Sequence, residues 1–337
     1  MKAVVIKKAN DISLMDVKFP ELKQDCARIK VKACAICATD LELIDGNIPA
    51  KYPIIPGHEW SGIVDSVSDV KYEHWLGKRV TGSNDISCLS CDECRKGNIR
   101  YCKEFQEIGF KADGGYAEYL IVPAYNLCEI PDSLPFVNAA LCEPLGVAVG
   151  ILEKAQARLM DTLLIFGSGS IGLCILTAAK AMGLNKIVVC AKSEKRLDIA
   201  KKMGAFEVIA TDKQNIFEQM EKLHPEGTDI VCDATGTEEC ITNGIKLTKK
   251  GGTFVLAGYG QGRIIKLRID DIHVNNIKVV GAGNNWNVHK RAVDLMRSGL
   301  VDLSPLITKK ISLEQYKEGF EAARNRPEGF VKAVFML

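Results

Sequence analysis

The chain has 337 residues, of which 47% are hydrophobic and 26% are charged, and its formal net charge is +2. This length exceeds what one hydrophobic core normally organises, so it predicts two domains. The nearly balanced charge argues against the strongly basic surfaces of proteins that bind nucleic acids or anionic membranes.

The first residues argue against secretion. The apolar stretch after Met1 is interrupted by Lys7 and Lys8, which leaves it too short for the core of a signal peptide. No run of 18 apolar residues occurs, so we expect no helix that spans a membrane. Thirteen cysteines in a long chain of this kind fit reduced thiols, some of them bound to metal. The sequence therefore predicts a cytoplasmic protein without a membrane partner.

Short β-branched runs separated by Gly, Pro and Asp cover residues 1 to about 140, which is typical of a β-rich, barrel-like domain. This region carries Cys37 in ICATD and the pair His58 and Glu59 in PGHEWSG, and Glu143 follows in LCEPLG. One cysteine, one histidine and one carboxylate leave a position open for water or substrate, as catalytic zinc requires. Glu59 and Glu143 are both candidates for the third ligand, or one binds the metal while the other exchanges with water.

Four further cysteines lie close together in a polar lobe of about residues 85–105. They are Cys88, Cys91, Cys94 and Cys102. Four thiolates at short spacing are typical of a closed, structural zinc site. The first three also match the start of a bacterial iron–sulfur run, but that run closes after three residues and continues with proline. Here the last gap is seven residues and Lys103 follows, which favours zinc.

From about residue 143 onwards, strands alternate with helical segments, which predicts βαβ units around a parallel sheet. The apolar run 163–166 is followed by a G-x-G-x-x-G turn that opens a helix, and this context predicts a dinucleotide site. The first glycine permits the tight turn, the second lets a pyrophosphate approach, and the third lets the helix pack on the strand. The residues of this turn that we expect to bind the dinucleotide are Gly167, Gly169, Ser170, Ile171 and Gly172.

The end of the second strand of this region distinguishes between the two nicotinamide dinucleotides. An NAD site normally places Asp or Glu there, to bind the ribose hydroxyls. This chain has Ala191 instead, and cations and a hydroxyl that would attract a 2′-phosphate surround it. They are Lys192, Ser193, Lys195 and Arg196. The pattern favours NADP, with NAD possible; in the alternative interpretation, Ser193 simply caps a solvated helix.

In this order and spacing, the motifs CATD, GHEWSG, the four-cysteine lobe, CEP and GSGSIG resemble the zinc-containing medium-chain dehydrogenase/reductase superfamily over essentially the whole chain. The glutamate-containing site, GHE with EPL, is similar to that of the polyol dehydrogenase branch. That branch includes sorbitol, galactitol-phosphate, threonine and butanediol dehydrogenases. The segment from Ala191 to Arg196 is similar to NADP-using ketose reductases of the same branch.

The resemblance implies an α/β fold with two domains. A Rossmann coenzyme domain, a doubly wound parallel sheet of residues 143–282, would be inserted into a GroES-like, β-rich catalytic domain of residues 1–142 and 283–337. It implies two zinc ions per chain, one held by the four-cysteine lobe. The catalytic zinc would be held by Cys37, His58 and Glu59 or Glu143. A homodimer or homotetramer, formed through edges of the coenzyme-domain sheet, is the family expectation.

The resemblance also implies hydride transfer between NAD(P) and a secondary alcohol of a polyol, cyclitol or sugar-like substrate, or the matching ketone. Thr39 matches the hydroxyl that relays the substrate proton. Ala38 replaces the usual Gly, and Glu42 stands where many members have a His that extends the relay. Phe110 and the segment 284–287 are candidate substrate contacts, although that segment is equally consistent with a surface loop.

Three alternatives stay open. The substrate class could be that of threonine or butanediol dehydrogenases. The chain could be a zinc-independent, quinone-reductase-like member of the superfamily, which Cys37, His58 and Glu143 argue against. It could also be a non-catalytic protein that binds zinc and a dinucleotide. The near-neutral charge and the lack of a stripe of basic and aromatic residues argue against nucleic acid as the partner of such a protein.

Overall fold

The structure is a computed structural model that describes residues 1–283 and 288–337. Its strands are β1 (Lys2–Lys8), β2 (Asp11–Asp16), β3 (Cys26–Ala35), β4 (Glu59–Val67), β5 (Arg79–Gly82), β6 (Asp85–Ile86), β7 (Gln106–Glu107), β8 (Tyr119–Pro123), β9 (Leu127–Glu129), β10 (Leu163–Phe166), β11 (Ile187–Ala191), β12 (Glu207–Ala210), β13 (Thr228–Asp233), β14 (Thr248–Leu256), β15 (Lys278–Gly281), β16 (Ile307–Ser312) and β17 (Lys332–Met336). Its helices are α1 (Ala38–Asp45), α2 (Asp92–Arg95), α3 (Phe136–Ala139), α4 (Cys142–Lys154), α5 (Ser170–Ala181), α6 (Glu194–Lys202), α7 (Ile216–Leu223), α8 (Glu238–Leu247), α9 (Ile269–His273), α10 (Val288–Arg297) and α11 (Tyr316–Asn325).

The described residues form two compact units. The first contains residues 1–143, 288–299 and 307–337, and the second contains residues 144–283 and 300–306. Each unit has its own sheet and its own hydrophobic core. The short segment 300–306 groups with the second unit, although the residues on either side of it group with the first.

The second unit is built on a six-stranded sheet with the order β12-β11-β10-β13-β14-β15. All of its strand pairs are parallel. In chain order this is 3-2-1-4-5-6, the doubly wound arrangement that binds dinucleotides outside the carboxyl ends of its strands. β10 is buried along its whole length, as expected for a strand covered on both faces. The predicted parallel sheet is confirmed.

The first unit is built on a seven-stranded sheet, in the order β16-β17-β3-β4-β5-β9, with β8 also paired to β3. The central strand β3 alternates buried and more exposed residues, so one of its faces packs into the core. Trp60, Tyr116 and Phe335 are the largest fully buried side chains of that core. The predicted β-rich domain is confirmed.

One helical stretch, Phe136–Lys154, is long and apolar enough to cross a membrane by length and composition. It is not marked by an unbroken apolar run, because Asn138, Glu143 and Gly146 interrupt its apolar residues. Of its most apolar window, 72% is buried inside the protein. Burial of this kind is what a core helix of a folded protein shows.

Candidate active site

The predicted ligands Cys37, His58 and Glu59 meet where the central strand of the first unit ends. Ala35, the last residue of β3, lies opposite Glu59 on β4 and opposite Val334 on β17. The chain then passes to Cys37, which is the N-cap residue of α1. Strand pairing therefore brings together residues that are far apart in the sequence. One ligand atom from each of Cys37, His58 and Glu59 lies within 4.8 Å of the others.

A buried aspartate holds this set in place. Asp40 accepts a hydrogen bond from the backbone N–H of Cys37 (2.8 Å) and one from the hydroxyl of Tyr116 (2.5 Å), both at Oδ2. Its other oxygen lies 3.4 Å from Nδ1 of His58. On the other side, the side-chain amide of Asn84 donates to the backbone carbonyl of His58 (2.7 Å). The imidazole is thus oriented by its surroundings, as the histidine ligands of metal sites usually are.

The electrostatics of the site favour a bound cation. Burial lowers the pKa of His58, but the charges of Asp40 and Cys37 outweigh burial and hold that pKa well above its usual value. Burial raises the pKa of Glu143 to about 7, while His58 acts to lower it and Glu59 acts to raise it. The negative charges of Asp40 and Cys37, which favour the protonated imidazole, would attract a metal ion in the same way.

Glu143 is not part of the set whose ligand atoms lie within 4.8 Å of one another. It is still close enough for His58 and Glu59 to affect its pKa. Glu59 is in the set, but Lys332 contacts both of its carboxylate oxygens, at 2.7 and 2.9 Å. Both glutamates therefore stay candidates for the third ligand.

Two further predicted residues lie near the set. The hydroxyl of Thr39, in the first turn of α1, is buried and has no hydrogen-bond partner among the described residues. An unpaired hydroxyl beside metal ligands is free to bond a substrate oxygen. The ring of Phe110 packs against His58, with the ring centres 5.1 Å apart. The other candidate substrate contacts, Asn284, Asn285, Trp286 and Asn287, lie outside the described residues.

The four cysteines of the lobe also come together. The sulfur of Cys88 lies 3.5 Å from that of Cys102 and 4.0 Å from that of Cys94, and all four ligand atoms lie within 4.8 Å of one another. A single tetrahedral zinc with Zn–S distances of about 2.3 Å holds its sulfur atoms about 3.8 Å apart. The lobe therefore fits one zinc ion.

Local hydrogen bonds favour the thiolate form of some of these cysteines, whereas burial raises the pKa of Cys94 to about 12. Hydrogen bonds from the side chain and backbone of Ser90, and from the backbone of Cys91, lower the pKa of Cys88 to about 6. The N–H of Cys91 donates to the sulfur of Cys88 (3.3 Å), and that of Glu104 donates to the sulfur of Cys102 (3.4 Å). N–H donors of this kind stabilise thiolates, which are the form that binds zinc.

In the second unit, the glycine-rich turn joins β10 to α5. Gly167 has a φ of +105°, which favours glycine. A Cβ on Gly172 would lie 1.9 Å from the carbonyl oxygen of Gly167, whereas a Cβ on Gly169 would meet no described residue within 4 Å other than its chain neighbours. The hydroxyls of Ser168 and Ser170 are buried, and the described part of the chain offers neither of them a hydrogen-bond partner. The open space, the unpaired hydroxyls and the start of a helix fit a bound pyrophosphate.

Parallel pairing brings the end of β11 beside this turn. Cys190 lies opposite Phe166, the last residue before the turn. Ala191 ends β11, and the predicted group of cations follows it at the start of α6. Ser193 occupies the N-cap position of α6, but its side chain makes no capping hydrogen bond. The alternative interpretation of Ser193 as a capping side chain therefore loses its main support.

Sequence reasoning missed three residues of the first site: Asp40, Tyr116 and Lys332. Asp40 carries a local signal, because it lies three residues after Cys37, as the last residue of a capping box does. Lys332 is a single cation in the apolar run FVKAVFML, a pattern that marks a buried or strand-edge charge. Tyr116 has no such signal, because its contact with Asp40 spans 76 positions.

Comparison with known proteins agrees with this geometry. The family model for the alcohol dehydrogenase GroES-like domain matches residues 23–132, and that for the zinc-binding dehydrogenases matches residues 170–298. The sorbitol dehydrogenase of Bacillus subtilis (strain 168) is 29% identical, over 96% of this chain and 93% of that protein. An L-threonine 3-dehydrogenase of Bacillus velezensis is 31% identical, over 96% of each chain.

A solved structure extends the likeness to three dimensions. A putative zinc-binding dehydrogenase from Sinorhizobium meliloti 1021, bound to NADP, has a TM-score of 0.91 and 31% identity, over 100% of this chain and 99% of that chain. Fold, motifs and relatives agree along nearly the whole chain. The chain therefore belongs to the zinc-containing medium-chain dehydrogenase/reductase superfamily, on its polyol dehydrogenase branch, and is an NAD(P)-dependent oxidoreductase that acts on CH–OH groups.

Proposed function

We propose that this protein is a two-zinc, NADP-preferring dehydrogenase that interconverts a secondary alcohol of a polyol, cyclitol or sugar-like substrate and the corresponding ketone. The observation that carries the proposal is the convergence of Cys37, His58 and Glu59, together with a buried hydroxyl on Thr39, two positions after Cys37, that has no hydrogen-bond partner among the described residues. We assign the catalytic role to residues 1–142 and 283–337 and coenzyme binding to residues 143–282.

In this proposal, Cys37, His58 and either Glu59 or Glu143 hold the catalytic zinc. Asp40 faces Nδ1 of His58, which leaves the other ring nitrogen as the ligand atom. The four-cysteine lobe holds the second, structural zinc. When bound, the catalytic zinc is a Lewis acid that lowers the pKa of an alcohol, and the dinucleotide is the hydride carrier.

The protein's own residues orient the substrate and move its proton. The hydroxyl of Thr39 is the group that would accept a proton from a substrate alcohol, since no described residue competes for it. Phe110 would limit the space beside His58, because its ring lies against the imidazole. Asp40, held by Tyr116, keeps the imidazole in a fixed orientation.

NADP is the preferred coenzyme in this proposal, and NAD is the alternative. Lys192, Ser193, Lys195 and Arg196 are the groups that would bind the 2′-phosphate. The hydroxyl of Ser193 makes no capping bond, so it is available for this role. Similar solved structures hold either coenzyme, NADP in the Sinorhizobium meliloti protein and NADH in an E. coli protein, so the choice rests on these four residues.

Ala191→Asp is expected to lower the preference for NADPH over NADH at least about tenfold, because the new carboxylate would repel the 2′-phosphate and accept the ribose hydroxyls of NAD. The measurement is the ratio of kcat/KM for the two coenzymes. Asparagine has nearly the size of aspartate but no charge, so Ala191→Asn should keep the wild-type ratio of kcat/KM for the two coenzymes. If Ala191→Asp leaves that ratio unchanged, the ribose pocket lies elsewhere.

The activity itself is tested by following absorbance at 340 nm with NADPH or NADH against ketoses, inososes, simple ketones and 2-amino-3-ketobutyrate, with and without a zinc chelator. Chelator-sensitive oxidation of NADPH by ketoses or inososes is the expected result. Activity confined to the amino ketone would instead favour the threonine dehydrogenase class, to which a 31% identical relative belongs. No activity in the presence of bound coenzyme would contradict the proposal.

We also propose a homodimer or homotetramer formed through the sheet edge of the second unit. β15 is the edge strand of that sheet, and apolar side chains are exposed on the same unit at Ile264, Ile269 and Val274. Exposed apolar surface beside an open strand edge is typical of association between chains. The molar mass in solution, measured by light scattering, tests this; a monomer would contradict it.

A further inference from the structure

Two acidic side chains face each other at the base of the four-cysteine lobe. The short strands β6 and β7 flank the four cysteines and pair with each other, and in this ladder Asp85 lies opposite Glu107. Asp85 is 4% exposed, and burial raises its pKa to about 6. Like charges directly opposite each other destabilise a strand pair, and burial adds to the cost. The ladder is therefore stable only with a compensating cation.

Arg100 supplies that cation from within the lobe. It lies in the helical turn Ile99–Tyr101, and its guanidinium group is 4.9 Å from the ring centre of Phe105. The guanidinium donates to Oδ1 of Asp85 (2.6 Å) and to Oε2 of Glu107 (3.4 Å). A planar guanidinium can serve two carboxylates at once, which a lysine ammonium does less well. Arg100 thus fastens both strands of the ladder to the lobe.

The same ladder is joined to the ligand set through Asn84, which directly precedes β6. The backbone carbonyl of Asn84 accepts a hydrogen bond from the N–H of Ile108, directly after β7 (3.0 Å). Its side-chain oxygen accepts from the indole N–H of Trp60 (3.0 Å), and its amide donates to the backbone carbonyl of His58 (2.7 Å). Because Asn84 is 3% exposed, water does not readily replace these bonds. A shift of the ladder therefore moves the group that holds His58.

We propose that Arg100 is a positioning residue that couples the four-cysteine lobe to the catalytic site. This inference rests on the two zinc sites proposed above. With Arg100 in place, Asp85 and Glu107 stay together, and Asn84 is fixed beside them. Asn84 then holds the carbonyl of His58 in one position. Without Arg100, the two carboxylates repel each other across the ladder, and His58 loses part of its support.

The test compares kcat with the rate at which the zinc-loaded protein gives up its metal to a chromogenic chelator. The wild type should release zinc in two phases, and the phase that Cys37→Ser lacks belongs to the catalytic site. In Arg100→Met, this phase should become about tenfold faster and kcat should fall about tenfold, as is typical when the support of a metal ligand is lost. The Kd for NADPH should keep its wild-type value, because the proposed coenzyme site lies in the second unit.

Arg95→Met is the matched control. Arg95 is also an arginine of the lobe, at the end of α2, but its side chain is exposed. Its kcat and release rates should equal those of the wild type. Arg100→Lys keeps the charge without the planar fork, so its kcat and its release rate should lie between those of the wild type and of Arg100→Met. It also supplies the comparison if Arg100→Met does not fold.

A double-mutant cycle shows whether Arg100 acts through Asp85. In an Asp85→Asn background the buried charge is gone, so Arg100→Met should change kcat and zinc release far less than it does in the wild type. An equal effect in that background would overturn the inference. A faster phase from the cysteine lobe alone, with wild-type kcat, would also overturn it, because Arg100 would then stabilise only the lobe. A wild type that releases only the zinc of the lobe would overturn the proposed catalytic site, and this inference with it.

Discussion

Cys37→Ser is expected to lower turnover by more than about a hundredfold while leaving dinucleotide binding nearly unchanged. A serine hydroxyl stays protonated at neutral pH and does not replace a thiolate as a zinc ligand, so the site loses one of its three protein ligands. The fold should tolerate the change. Cys37 is the N-cap residue of α1, serine is favoured at that position, and the bond to Asp40 comes from the backbone.

The measurements for this variant are kcat in the 340 nm assay and NADPH affinity by fluorescence titration. Cys26→Ser is the control, because Cys26 is a half-buried cysteine at the start of β3 and is not in either ligand set. It should keep wild-type turnover. Loss of turnover and of coenzyme binding together in Cys37→Ser would mean that metal and coenzyme do not occupy separate sites.

Gly169→Ala is expected to weaken dinucleotide binding by about tenfold to a hundredfold without lowering the melting temperature. Apart from its chain neighbours, a methyl group at this position meets no atom of the described residues within 4 Å, so the free protein has room for it. That space is where we place the pyrophosphate, and the methyl group would hold it away from the backbone N–H groups at the start of α5. The measurement is the Kd for NADPH together with the thermal transition.

Gly172→Ala is the contrasting variant. Its methyl group would lie 1.9 Å from the carbonyl oxygen of Gly167, so the turn or the helix must move. This variant should lose both thermal stability and coenzyme binding. If Gly169→Ala binds NADPH as the wild type does, the pyrophosphate does not lie against this turn.

Much of the fold could be predicted because its signals are local. The apolar run of β10 and the glycine turn after it are consecutive, and together they predicted a βαβ unit and a dinucleotide site. The four lobe cysteines lie within 15 residues, so their spacing alone indicated that they bind one metal ion together. In each case, the residues that act together are neighbours in the chain.

The parts that sequence reasoning missed depend on long-range strand pairing. Lys332 reaches Glu59 across 273 positions, and only the pairing of β17 with β3 and of β3 with β4 brings the two together. Tyr116 reaches Asp40 across 76 positions through the core of the same unit. The sequence around Asp40 and Lys332 marks each residue as unusual, but nothing in it indicates the partner that the residue contacts.

The zinc content per chain, measured by elemental analysis of the purified wild type and of Cys37→Ser, tests the central claim most directly. The proposed site predicts two zinc ions per chain in the wild type and one in the variant, with chelator-sensitive NADPH oxidation in the wild type alone. One zinc per chain in both proteins, with turnover that survives the chelator and the substitution, would contradict a catalytic zinc at Cys37.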